Sequence, residues 1–121
     1  MDATRNARKE GINNDSLIGI ISIFKIDKIN MNAKVAYWLG EKYQGKGLMS
    51  EALDLVLKLA FKDLKLNRVS ANVNAENTAS KKLLEKHGFK LEGVQRQARC
   101  KYKKFYDDLI YGILRKEFKL F

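Results

Sequence analysis

The 121 residues hold 24 Lys and Arg against 14 Asp and Glu, a formal charge of +10 at neutral pH, with 45% hydrophobic and 31% charged residues. That balance fits one globular domain and excludes a disordered chain. No apolar run approaches the roughly 20 residues that cross a bilayer, and the start Met1-Asp2-Ala3-Thr4-Arg5 lacks the apolar middle of a secretory signal, so a cytoplasmic location without membrane contact is expected. One cysteine (Cys100) and one histidine (His87) exclude a disulfide framework and cannot complete a structural zinc site.

The charge suits polyanions such as RNA, acidic surfaces or a phosphorylated cofactor, or simply a solvated lysine face. Residues 1–15 are polar with few apolar anchors, so they are set apart as an N-terminal segment, and the domain proper is expected over residues 16–121. Residues 17–26 (LIGIISIFKI) form the β-branched apolar run of a buried strand. After a polar turn, Val35-Ala36-Tyr37-Trp38-Leu39 reads as a second strand closed by Gly40.

A glycine loop over residues 41–47 then opens a helix in which Met49, Ala52, Leu53, Val56, Ala60 and Leu64 recur at helical spacing. Residues 68–74 alternate Val69, Ala71 and Val73 with polar neighbours, the period of a half-buried strand. Asn77 is a candidate N-cap for a short helix through His87, and Gly88 stands where such helices stop. Residues 89–94 and 109–114 supply two more strands, separated by a basic, aromatic and partly irregular stretch at 96–106.

Gln44-Gly45-Lys46-Gly47-Leu48-Met49 immediately precedes the amphipathic helix, whose first N–H groups are unpaired and point outward at the positive end of the dipole. Glycines at 45 and 47 admit close backbone approach to an anion, and Lys46 adds charge. A dinucleotide fingerprint needs a third glycine where Ser50 stands, and a P-loop needs Gly-Lys-Ser/Thr after four spacers, so neither fits.

YWLGEKYQGKGLMSEAL (residues 37–53), NRV (67–69) and NTASKKLLEKHGF (77–89) together resemble the GNAT superfamily of acetyltransferases, and within it the ribosomal-protein alanine N-acetyltransferase subgroup. The resemblance covers roughly residues 17–116. It implies an α/β (α+β) fold, a mixed and mostly antiparallel sheet flanked by helices, which opens between the strands at 35–39 and 68–74 to admit acetyl-CoA. Backbone groups of Tyr37, Trp38 and Leu39 would pair with the pantetheine arm. The pyrophosphate would rest on Gln44, Gly45, Lys46, Gly47, Leu48, Met49 and Ser50. Asn77 would bond the arm, and Ser80 would protonate the departing sulfur.

The implied reaction is direct attack of a primary amine, with a protein N-terminal α-amine favoured as acceptor and the ribosome as its setting. Many relatives carry a glutamate where Lys34 stands, and a lysine is a poor base at neutral pH. Glu92 is therefore taken as the catalytic carboxylate, with Asp107 and Asp108 as alternatives. Lys42 also departs from the glutamine or arginine common before the loop. His87 and Cys100 receive no catalytic role.

Similar domains begin with a strand and two helices that form one wall of the acceptor groove. The resemblance thus implies an N-terminally shortened domain or a site completed by another subunit, and self-association is expected. Three other functions remain open: acetylation of a small amine such as a polyamine or antibiotic, a degenerate acetyl-CoA-binding protein, and an RNA-binding module. The last would use Lys101, Tyr102, Lys103, Lys104, Phe105 and Tyr106.

Overall fold

A computed structural model describes residues 3–8 and 17–119. The β-branched run pairs on both sides as β2 (Leu17–Asp27), between β1 (Ala3–Arg8) and β3 (Asn32–Leu39). Then follow α1 (Leu48–Lys58), β4 (Arg68–Asn74), α2 (Thr78–Lys86), β5 (Lys90–Lys101) and β6 (Lys104–Leu114). The six strands form one sheet in the order β1-β2-β3-β4-β6-β5. All neighbours are antiparallel except β3 and β4, which are parallel. This is the mixed, mostly antiparallel sheet that the resemblance implies.

Alternation decides which face of the sheet is covered. Ile21 and Ile23 of β2, Ala33 and Val35 of β3, Val69, Ala71 and Val73 of β4, and Leu109, Tyr111 and Ile113 of β6 are all buried. They share one cluster with Met49, Leu53, Val56 and Leu57 of α1 and Leu84 of α2. Residues two apart on a strand share a face, so both helices lie over one side of the sheet. The Tyr111 hydroxyl donates to Glu85 of α2 at 3.1 Å across that side.

The opposite face is polar. Arg68 donates twice to Glu92 (2.7 and 2.5 Å) from β4 to β5, over Gly112 of β6. A Cβ at Gly112 would strike both the guanidinium and the carboxylate, so the bidentate pair requires glycine beneath it.

Ala3–Arg8 pairs with β2 from Ile23 back to Leu17; residues 1–2, 9–16 and 120–121 lie outside the described residues. The stretch at 96–106 is a paired hairpin, and its irregularity is a register shift between Gln95 and Arg99, where Gln97 takes a positive φ of 53°. Cross-strand pairing there overrides the polar, unpatterned sequence.

Leu53 is fully buried at the centre of α1. Leu53→Ala is expected to lower the unfolding free energy by about 2–5 kcal/mol, the cost of a core cavity, as read by urea denaturation.

Candidate active site

β3 and β4 pair only through Asn32–Arg68, Ala33–Val69 and Lys34–Ser70. Beyond Lys34 the strands part, so one edge of Tyr37, Trp38 and Leu39 lacks a β4 partner. A strand edge without a neighbour presents unpaired N–H and C=O groups. A cleft of about 520 Å³ follows this parting, lined by Tyr37–Leu39, by Gln44, Gly45 and Gly47–Ser50 of the loop, and by one flank of α2.

The loop delivers the start of α1 to the mouth of the cleft. Gly45 and Gly47 take φ of 77° and 76°, left-handed values that a side chain disfavours, and both face open space. Gly47 is the N-cap, and with no side chain there the first N–H groups of α1 are left uncapped. Its carbonyl accepts from Glu51 N at 3.1 Å, which starts the helix. Gln44 folds back and donates through Nε2 to the Leu39 carbonyl at 2.9 Å, tying the loop to the free end of β3.

At the other wall, Asn77 caps α2 by accepting from Ser80 N through Oδ1 at 3.1 Å. The cap fixes the first turn and places the Ser80 hydroxyl 2.5 Å from the Tyr37 hydroxyl, across the gap between α2 and β3. Burial holds the Tyr37 hydroxyl above its ordinary ionisation range, against the opposing Ser80 hydrogen bond. It therefore stays protonated through neutral pH and keeps a proton to donate. Because folding resists its ionisation, its effect on stability is nil below the ordinary tyrosine range, and stability falls as pH rises through the raised value.

His87 joins the two helices that carry these parts. Nδ1 lies 2.9 Å from the Leu83 carbonyl in the last turn of α2. Nε2 lies 3.1 Å from the Ser50 carbonyl and 3.1 Å from Asp54 Oδ1, both on α1. Ser50 Oγ also lies 3.3 Å from Nε2, so the ring acts as a clamp between the loop-bearing helix and the Ser80-bearing helix. No signal in the sequence pointed to this clamp.

Of the residues expected at the cofactor, Tyr37, Trp38, Leu39, Gln44, Gly45, Gly47, Leu48, Met49, Ser50, Asn77 and Ser80 line this one cleft. Lys46 is exposed and lies off the lining. Lys82 and Lys86, one turn apart on α2, bring ammonium groups to it instead. Their i, i+4 spacing on the helix after Asn77 was the signal for them.

The carboxylates do not join the cleft. Glu92, expected as the catalytic carboxylate, is held by Arg68, with both of its oxygens engaged on the polar face. Asp108 is buried and accepts from Asn72 Nδ2 (2.6 Å) and Arg99 Nε (2.5 Å), and Asp107 accepts from Gln97 N (2.9 Å). Lys34 ends the paired stretch and donates to Asn72 Oδ1 at 3.3 Å. Among the described residues no cluster of His, Cys, Asp and Glu is arranged to hold a metal ion. No helix there is long and apolar enough to cross a membrane.

Parted strands, a glycine loop at a helix start and a capped serine opposite it form a cradle for an extended, anionic ligand. Residues 3–90 match the acetyltransferase (GNAT) domain, and the chain belongs to that family. It is 43% identical over 84 residues to the probable N-acetyltransferase YjcK of Bacillus subtilis, covering 69% of this chain and 46% of that protein. It is 36% identical over 84 residues to the ribosomal-protein-serine acetyltransferase of Escherichia coli, covering 69% and 47%. The crystal structure of a ribosomal-protein-S5-alanine acetyltransferase from Vibrio fischeri superposes with a TM-score of 0.79 at 27% identity, over 87% of this chain and 58% of that one. The chain thus spans about half the length of these curated relatives.

Members of this family use acetyl-CoA as co-substrate, and the residues present fit it. An unpaired strand edge suits the amide-bearing arm, and the uncapped α1 N-terminus with Lys82 and Lys86 suits the phosphates.

Replacing His87 with Phe fills the same space and donates nothing. The stranded acceptors on α1 and α2 are expected to cost about 1–3 kcal/mol in urea unfolding. An unchanged midpoint would show that the clamp does not hold the helices.

Proposed function

We propose that this chain carries the catalytic core of an acetyl-CoA-dependent N-acetyltransferase acting on a primary amine. The observation that carries this reading is the Tyr37–Ser80 hydroxyl pair on the wall of a cleft whose mouth is a helix N-terminus. The cofactor supplies the activated acyl group. Gln44, Gly45, Gly47–Ser50, Asn77, Lys82 and Lys86 would hold it, and the free edge of β3 would orient it.

The chain's own chemistry centres on one proton. In this reading Tyr37, kept protonated by burial, is the donor of a hydroxyl pair in which either oxygen can donate, which leaves the serine proton free to point into the cleft. A hydroxyl that accepts one hydrogen bond becomes a better donor of its own, so Tyr37 strengthens Ser80 as the acid for the leaving sulfur. Asn77 fixes the serine backbone during the step. Positioning two reactants in one cleft supplies much of the acceleration without a covalent enzyme intermediate. With Glu92, Asp107 and Asp108 engaged elsewhere, none of them is assigned as the base.

A protein N-terminal α-amine is the favoured acceptor. The relatives with this sequence pattern include ribosomal-protein acetyltransferases. A charge of +10, with Lys34 standing where the sheet opens, repels a polycation and so disfavours a polyamine. Work beside a ribosome, in the cytoplasm, suits the same charge.

The test is release of free thiol from acetyl-CoA in the presence of N-terminal peptides of ribosomal proteins, with spermidine as the competing class. Ser80→Ala is expected to lower kcat about 100-fold with little change in KM for acetyl-CoA. Tyr37→Phe should lower kcat less, and the double variant should be no slower than Ser80→Ala alone, since the tyrosine acts through the serine. Additive losses would separate the two hydroxyls. Thiol release with spermidine alone would overturn the acceptor assignment.

A further inference from the structure

The β5–β6 hairpin is longer than the sheet needs. β4 pairs with β6 only from Asp108 to Leu114, so Lys104–Asp107 and the facing end of β5 extend past β4 as a two-stranded ribbon. That overhang lies at the end of the sheet where β3 and β4 part.

Its sequence works against its own stability. The turn residues Tyr102 and Lys103 both take positive φ, 51° and 61°, in a two-residue turn that normally selects Asn-Gly. Lys101 stands directly opposite Lys104, a like-charge cross-strand pair. Arg96, Arg99, Lys101, Lys103 and Lys104 fall within residues 96–106 with no carboxylate among them. Arg99 is paired with Asp108 at the ribbon's base; among the described residues the other four make no ion pair. Tyr102 is 90% exposed and Phe105 60% exposed, and Lys101 sits over the Tyr102 ring at 5.6 Å.

Strain, crowded cations and solvent-facing rings in one projecting ribbon have a common remedy in a ligand with closely spaced negative charge and flat apolar faces. Phosphodiesters neutralise the lysines, and unpaired bases stack on the rings. An acidic peptide would supply the charge and leave the rings bare. We infer that the β5–β6 ribbon is a docking arm for single-stranded nucleic acid, held at the end of the sheet where β3 and β4 part. This inference stands on the ribbon alone and not on the catalytic reading.

The test is fluorescence anisotropy of a labelled oligouridylate with the whole chain, with unlabelled heparin as a competitor that carries charge without bases. Binding is expected to weaken steeply with added salt. The variant Tyr102→Asn/Lys103→Gly installs the preferred turn sequence, so it should unfold at the same or a higher temperature, yet bind the oligouridylate about tenfold more weakly. Lys101→Gln/Lys104→Gln should weaken it as well and flatten the salt dependence. Acetyl-CoA affinity should be unchanged in both, so failure here leaves the cofactor site untouched. No binding at low salt, or equal binding by the Tyr102→Asn/Lys103→Gly variant, would overturn the proposal.

Discussion

Three residue pairs hold β3 to β4, and the sheet's one parallel junction ends with Lys34 and Ser70. Everything functional follows from where that pairing stops. Had it continued, Tyr37, Trp38 and Leu39 would spend their edge groups on β4 and the sheet would close. Instead the free edge, the start of α1 and the capped turn of α2 converge on one gap. The helices stay on a single side of the sheet because the apolar residues of β2, β3, β4 and β6 alternate in phase. That common phase lets α1 and α2 lie side by side, where His87 can reach both.

The same gap explains why Ser80 finds a partner. An N-cap serves α2 whatever lies nearby, and Asn77 does that work alone. Only the parting of the strands lets the Tyr37 ring, on the helix side of β3, meet the serine three residues past that cap. Burial and hydrogen bonding act against each other on Tyr37: the first keeps the tyrosine protonated, and the Ser80 hydrogen bond offsets part of that effect.

Much of this was legible in the sequence. The amphipathic period from Met49 onward, the Asn77 cap, the stop at Gly88 and the glycine loop are local signals, and each falls where local physics puts it. Features set by register were not legible. The Arg68–Glu92 pair depends on the register shift between Leu91 and Gly93 that leaves Glu92 without a strand partner, and no local pattern encodes that, so Glu92 read as a free carboxylate. Ala3–Arg8 looked like a polar leader because an edge strand needs few apolar residues to pair. The hairpin at 96–106 breaks the usual turn chemistry, and cross-strand pairing alone makes it a ribbon.

The cleft's identity as a cofactor site is tested most directly by calorimetric titration of acetyl-CoA, with Gly47→Glu as control. That variant sets a carboxylate where the first N–H groups of α1 face the mouth of the cleft, in open space where it disturbs no packing. One molecule of acetyl-CoA bound per chain, and lost in a variant that still unfolds cooperatively, its stability lowered only by the side chain at a left-handed φ of 76°, is the expected result. A folded wild-type chain that takes up no acetyl-CoA, or a Gly47→Glu variant that binds it equally well, would contradict the assignment.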